Sequence, residues 1–457
     1  MPAVQAPLGH GLRVRHLTMM GLGSAIGAGL FLGTGVGISA AGPAVLVSYV
    51  VAGALVVLLM RMLAEMASAV PSSGAFSTYA EVGIGRWAGF TVGWVYWFTL
   101  VMVLGVEITG ASQIVSGWVP GVPQWVVALV FVTFFAVVNL SGVRRFGEFE
   151  FWFATIKVVA IIGFLVVGAL VLTGVIDVGQ PVGIQAMLSD GGFAPNGVAG
   201  IAAGLLAVLF AFGGIEIVTI AAAESEDPAR SIARAAASVV WRILFFYIGS
   251  VTVMVLIMPW SSPELVSGPF VSVLDIAGVP GAGRVMEAVV VIALLSAFNA
   301  NVYGTSRMVF SLSQRGDGPR YFTGVSRRGV PNRAVWTSIA FGLVSVGLNA
   351  WLPDQILGIL LNAVGASLLG IWAFIAVSQL RLRPRLEREG TLTLKMWAFP
   401  GLTWATLAAL ASIVVLMLFD RTARQQLVAT VGLFLLVAGI FVVREQVRRR
   451  RGAVVSD

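Results

Sequence analysis

The chain has 457 residues, of which 58% are hydrophobic and only 11% charged, and its mean hydropathy of +0.94 excludes an ordinary soluble domain, where charged residues run near 25%. The complete absence of cysteine excludes disulfides and thiolate metal sites, and the two histidines, His10 and His16, are too few and too close to one end to build a metal centre. The net charge of +8 raises nucleic-acid binding as a question, and the distribution of the basic residues answers it below.

Apolar runs long enough to cross a bilayer recur from end to end. They predict spans at 17–39, 43–66, 87–117, 122–142, 151–174, 196–223, 238–259, 285–312, 334–352, 355–379, 397–419 and 425–444, between a tail at 1–16 and another at 445–457. This is the pattern of an all-α polytopic membrane protein with twelve transmembrane helices. Most of the 29 Lys and Arg fall in the termini and the even-numbered connections, at or near Arg13, Arg86, Arg144, Arg230, Arg327, Arg383 and Arg448 to Arg451, with Arg284, Arg421 and Arg424 opposite. That asymmetry places both termini in the cytoplasm. It also accounts for the net charge without nucleic acid.

The first span opens with "GLGSAIGAGLFLGTG", Gly21 to Gly35, six glycines in fifteen residues. A glycine inside a helix costs about 1 kcal/mol relative to alanine, so this stretch predicts a helix that unwinds. The sixth span contains a second interruption, "FAFGGIEIV", Phe210 to Val218. Spans one to five (17–174) and six to ten (196–379) then form two halves of opposite topology, each opening with a broken helix, and spans eleven and twelve (397–444) lie outside them. Interruptions at corresponding positions of two halves point to an inverted-repeat transporter with its site near the bilayer midplane. Unwound backbone within a membrane must face a cavity or a ligand. N–H groups at the first break suit a carboxylate, and carbonyls at the second suit an ammonium group. Close helix packing through small residues is the alternative use of such glycines.

Charged residues inside spans suggest function. Lys157, in the fifth span, is one of only two lysines; the other, Lys395, lies in a loop. Arginine keeps its proton in a protein whereas a desolvated lysine can release one, so Lys157 is a candidate proton-exchanging group, with snorkelling to the interface as the competing reading. Glu107, within "LGVEITG" of the third span, is a candidate proton relay or ammonium partner, or a structural hydrogen-bonding group. Glu216, just after the second break, ties the unwound backbone and is assigned a structural or gating role. Arg61 and Glu65, four residues apart, read as a helix-end pair, and Arg242 and Arg307 as structural. The charged stretch "ESEDPARSIARA", Glu224 to Ala235, reads as a cytoplasmic loop, with closing the inner gate as a further role.

The stretches "GSAIGAGLFLGTG", "AGPAVLVSYVVAG", "FGEFEFWFATIKVVAIIGF", "AFGGIEIVTIAAAESEDPARSI" and "NVYGTSRMVFSLSQRGDGP" resemble the amino acid transporter family of the amino acid, polyamine and organocation (APC) superfamily, over residues 11 to 445. "MRMLAEMA", "STYAEVGIGRWAGFTVGWVYW", "EIVTIAAAES" and "AVSQLRLR" resemble bacterial gamma-aminobutyrate (GABA) permeases in particular. The resemblance implies a LeuT-like 5+5 inverted repeat with two peripheral helices, in a bacterial inner membrane. It also implies a substrate carboxylate against the backbone of Ala25, Gly27, Ala28 and Gly29, and a substrate amine near the carbonyls of Phe210, Ala211 and Gly213. Phe210 stands where relatives place an aromatic over the substrate, and Lys157 where proton-coupled relatives use a lysine in place of sodium.

The expected function is proton-coupled uptake of a small zwitterionic amino acid, GABA or a neutral α-amino acid. An exchanger and a non-transporting sensor would share the same binding architecture. The expected partners are the amino acid, the proton and the lipid bilayer, with no nucleic acid and no metal, nucleotide or redox cofactor. No phosphate-binding GxxxxGK[ST] loop is present in the sequence, which argues against ATP-driven transport by this chain alone. The predicted spans hold neither histidine nor cysteine, which argues against an enzyme.

Overall fold

The computed structural model describes residues 19, 26–72, 74–222, 228–327, 329–351, 356–419 and 421–454, and every regular element among them is helical. In chain order the α-helices are α1 (Ala28–Phe31), α2 (Gly33–Ala41), α3 (Val45–Ala69), α4 (Ala75–Gly83), α5 (Arg86–Trp118), α6 (Gln124–Leu140), α7 (Val143–Leu172), α8 (Ile184–Leu188), α9 (Gly197–Ala211) and α10 (Ile217–Ala222). They continue as α11 (Pro228–Arg242), a π-helical segment (Ile243–Gly249), α12 (Ser250–Ile257), α13 (Pro263–Ser267), α14 (Pro269–Ile276), α15 (Ala282–Gln314), α16 (Asn332–Trp351), α17 (Ile356–Arg388), α18 (Gly401–Met417) and α19 (Arg421–Val454). Six helical runs among the described residues are long and apolar enough to cross a membrane, and Gln124–Leu140, Gly197–Ala211, Phe245–Ile257 and Gly401–Met417 are shorter apolar helices. The chain is a multi-pass membrane protein.

Burial sorts these helices into centre and periphery. In the most apolar window of α15, 78% of residues are buried, and in that of α5, 72%, against 11% in α19. The sequence gives the reason. Helix α15 carries Ser296, Asn299, Asn301, Thr305, Ser306 and Arg307, all buried, and such groups are tolerated only where protein surrounds them. Several bond back to their own helix, as Thr305 does to the Asn301 carbonyl at 2.7 Å, and the Arg307 guanidinium lies 4.0 Å over the Tyr303 ring. Helix α19 presents Val428, Val431, Leu435 and Leu436 outward, as a lipid-facing surface requires.

Both interruptions bear on the path of the chain. Helix α1 begins at Ala28 after Gly27. Gly21 to Ala25, in the first half of the glycine-rich stretch, lie outside the described residues, as do 223–227 of the charged loop. Helix α9 stops at Ala211, and turns through Phe212–Glu216 lead into α10. Gly214 sits there at φ +93°, a left-handed conformation that residues with a Cβ adopt only under strain.

One expectation changes. Glu65, fully buried at the end of α3, takes Arg383 of α17 as its ion-pair partner rather than Arg61, and also accepts from Gln379 Nε2 at 2.8 Å and from the Met396 N–H. Arg61 instead donates to the Lys395 carbonyl at 2.9 Å and lies over Trp397. The Arg383 guanidinium divides between two carboxylates, Nη1 on Glu65 and Nη2 on Glu387, and the fully buried Glu65 carboxylate, also held by two neutral donors, has this buried cation as its partner rather than the more exposed Arg61 one turn away. Nearby, Arg86 bonds Asp317 at 3.0 Å; burial pushes the Asp317 carboxyl above its ordinary range, with the Arg86 guanidinium pulling it back.

Removing one member of a buried ion pair costs about 3–5 kcal/mol because the other is stranded. Glu65→Ala is therefore expected to lower the unfolding temperature of the detergent-purified protein, whereas Glu387→Gln, at the exposed partner of the same arginine, is expected to leave it unchanged. Equal melting curves for Glu65→Ala and wild type would remove the structural role of the pair.

Candidate substrate and coupling site

The two interruptions face each other. Between them lies a cavity lined by Gly27 and Gly29 on one side and by Phe210, Ala211, Gly213, Gly214 and Glu216 on the other. Helix α5 closes it with Tyr96, Thr99, Leu100, Val103 and Glu107, helix α15 with Asn301, and helix α17 with Val364 and Leu368. The walls are apolar toward Leu100, Val103, Val364 and Leu368 and polar toward the breaks.

Close approach explains the glycines. A Cβ at Gly29 would collide with the backbone of Ala211 and come within 3.0 Å of the Phe210 carbonyl. A Cβ at Gly27 would lie 2.6 Å from Oε1 of Glu107 and 2.8 Å from the Ala297 methyl. Gly29 thus lets one half-helix touch the other, and Gly27 leaves the space that the Glu107 carboxylate fills.

Glu107 is 3% exposed, and both of its oxygens accept from the Ala28 N–H, at 3.2 Å each. A carboxylate at the first N–H of a helix is a favourable arrangement, here supplied from a residue 79 positions away. The same N–H is among those read from the sequence as receiving a substrate carboxylate. Of the carbonyls read as receiving its amine, that of Ala211 accepts from the Tyr247 hydroxyl at 3.1 Å and that of Phe210 from the Gly213 N–H at 3.0 Å. Phe210 itself lines the cavity. Ala25 lies outside the described residues.

Glu216 is buried, with its carboxylate beside the backbone at Gly214 and near the Tyr96 hydroxyl, which makes no hydrogen bond among the described residues. Its Oε1 and the Oδ1 of Asn301 make no hydrogen bond among the described residues. Two acceptors thus border the cavity, the chemistry an ammonium group needs.

Lys157, on α7, is fully buried and donates from Nζ to the Ile26 carbonyl at 2.9 Å. Its ammonium therefore turns into the bundle onto the residue before Gly27 rather than toward an interface. The carboxylates of Glu107 and Glu150 act on it electrostatically. Lys157, Glu107 and the start of α1 form one connected unit: the lysine holds the carbonyl of Ile26, the glutamate the N–H of Ala28.

Tyr96, Thr99 and Asn301 were not among the residues singled out from the sequence. A polar residue inside a buried span, as in "SAFNANVYG", was the available signal for Asn301. Tyr96 and Thr99 sit in a segment whose composition matches the rest of α5.

Residues 16–455 match the family described as Amino acid permease. The chain is 54% identical over 451 residues to the aromatic amino acid transport protein AroP of Corynebacterium glutamicum, covering 97% of each. It is 42% identical over 449 residues to the gamma-aminobutyric acid permease of Bacillus subtilis, covering 98% of this chain and 95% of the relative. It is 38% identical over 452 residues to the L-asparagine permease of Salmonella typhimurium, covering 97% and 91%.

Proposed function

The chain belongs to the amino acid permease family, and from that premise we propose that it is a secondary active permease of a bacterial inner membrane, importing a neutral zwitterionic amino acid with a proton by alternating access. The proposed architecture is twelve spans in a LeuT-like 5+5 inverted repeat with two peripheral helices and both termini in the cytoplasm. One observation carries the reading: two interrupted helices border a single cavity that offers backbone at the breaks, acceptors at Glu216 and Asn301, and apolar walls beyond.

In this reading the substrate carboxylate lies at the start of α1, against Gly27, Ala28 and Gly29. The amine lies near Glu216, Asn301 and the end of α9, and the apolar part lies along Leu100, Val103 and Leu368. Ala25 and the carbonyls of Phe210, Ala211 and Gly213 complete the site proposed from the family resemblance. Phe210 covers the substrate. Lys157 and Glu107 carry the coupling proton, and Glu216 also steadies the second break.

The apolar walls and the 54% identity to an aromatic amino acid transport protein favour α-amino acids with apolar side chains. GABA is the second reading, supported by the 42% identical permease. The test is uptake into proteoliposomes under an inward proton gradient, with competition by phenylalanine, tyrosine, asparagine, GABA, lysine and a polyamine. Phenylalanine or GABA should compete strongly and lysine weakly. Tight competition by the polyamine, which has no carboxylate, would reject the site. Uptake that requires amino acid preloaded inside would identify an exchanger instead.

A further inference from the structure

Glu150 has no place in the cavity, yet it is fully buried. It sits on α7 seven residues before Lys157, about 10 Å along the axis and on nearly the same face, so both side chains enter the bundle together. Its Oε1 accepts from the Ser296 hydroxyl at 2.7 Å, while its Oε2 has no hydrogen-bond partner among the described residues. Asn299 lies beside it and is held in turn by Asn139, whose Nδ2 donates to the Asn299 Oδ1 at 2.8 Å. Among the described residues, the charged groups acting on Lys157 are Glu150 of its own helix and Glu107 of α5, and Lys157 acts in turn on Glu150; α15 and α6 contribute Ser296, Asn299 and Asn139. A buried carboxylate with an open oxygen is costly to retain, and this one lies between Lys157 and the N-terminal end of α7.

We propose that Glu150 is the proton acceptor for Lys157 on the cytoplasmic side, so that the coupling proton leaves along α7 instead of returning through the substrate cavity. The proposal rests on the proton-coupled reading above. In the step, relayed by an intervening water because Lys157 and Oε2 make no direct hydrogen bond, an N–H bond of the Lys157 ammonium breaks and an O–H bond forms at Oε2 of Glu150, converting the ammonium and carboxylate into a neutral amine and a neutral carboxylic acid while the water is regenerated. The acid then releases the proton to cytoplasmic water and regains its charge. Lys157 is recharged by a proton arriving through the cavity past Glu107. Ser296 keeps Oε1 occupied, which leaves Oε2 as the atom that receives the proton.

The test compares wild type, Glu150→Gln and Glu150→Asp in proteoliposomes, with labelled phenylalanine or GABA, whichever the wild type takes up. Two assays are needed: uptake driven by a pH gradient, and counterflow against preloaded unlabelled substrate, which requires no net proton movement. In Glu150→Gln gradient-driven uptake should fall by about a hundredfold, the scale of a lost proton-transfer group, while counterflow persists. Glu150→Asp, which keeps a carboxylate in place, should recover part of the gradient-driven rate. Undiminished gradient-driven uptake in Glu150→Gln, or loss of counterflow in both variants, would overturn the assignment. Wild-type uptake indifferent to the gradient would instead remove the coupling reading itself, and the assignment with it.

Discussion

Gly29→Val is expected to weaken substrate binding by roughly 10- to 100-fold while leaving a protein that still inserts and purifies. Inserting a side chain into a closely packed contact costs about 1–3 kcal/mol, and each 1.4 kcal/mol is about a factor of ten in affinity. At Gly29 the new Cβ meets the backbone of Ala211 and the carbonyl of Phe210, neither of which can turn away as a side chain would. The half-helices must separate, and the cavity they share changes shape. Gly29→Ala should show a smaller loss of the same kind. Binding of labelled substrate to purified protein by scintillation proximity reads the effect, with size-exclusion chromatography as the check on folding. Wild-type affinity in Gly29→Val would mean that the contact between the breaks does not shape the binding site.

The second large effect is expected at Lys157. Lys157→Ala should eliminate accumulation against a gradient while retaining measurable binding, because the proposed binding groups stay in place. Lys157→Arg should also fail to accumulate, since arginine keeps its proton and cannot complete a release step. The geometry makes this a sharper test than composition alone would. The ammonium bonds the carbonyl of Ile26, so a change in its charge is felt directly at the first break. Gradient-driven accumulation at the wild-type level in Lys157→Ala would reduce the lysine to a structural clasp on Ile26 and leave Glu107 as the next candidate.

The helical, membrane-embedded character was legible in the sequence because hydropathy reports it directly, and the second break was legible because adjacent glycines with a glutamate two residues on are unusual in the middle of a span. Boundaries were less so. The span predicted to begin at 151 belongs to a helix that begins at Val143, and the last span continues as helix to Val454. In both places charged residues end the hydropathy signal while the backbone keeps its helical hydrogen bonds. Helix α4 escaped notice because nine residues with mixed polarity are too short to show a period. The π-helical segment at Ile243–Gly249 follows from no residue pattern in the chain.

The site was legible in part for a similar reason. Lys157, Glu107, Glu216 and the glycines stand out because each is unusual for its surroundings. Tyr96 and Thr99 reach the cavity only through the way α5 crosses the breaks, which no local pattern records. The Glu65 pairing could not be read at all: the nearby Arg61 satisfied the helical spacing, whereas the actual partner lies 318 residues away.

Glu107 already occupies the Ala28 N–H with both oxygens, which gives the carrier a resident competitor. In the proposed binding mode an incoming carboxylate must displace one tethered to α5, and a tethered rival never dilutes. The apparent dissociation constant then exceeds the intrinsic one by the inverse of the fraction of molecules in which Glu107 has let go. In the same binding mode, the start of α1 is never a vacant helix end when substrate is absent, because the α5 carboxylate holds it.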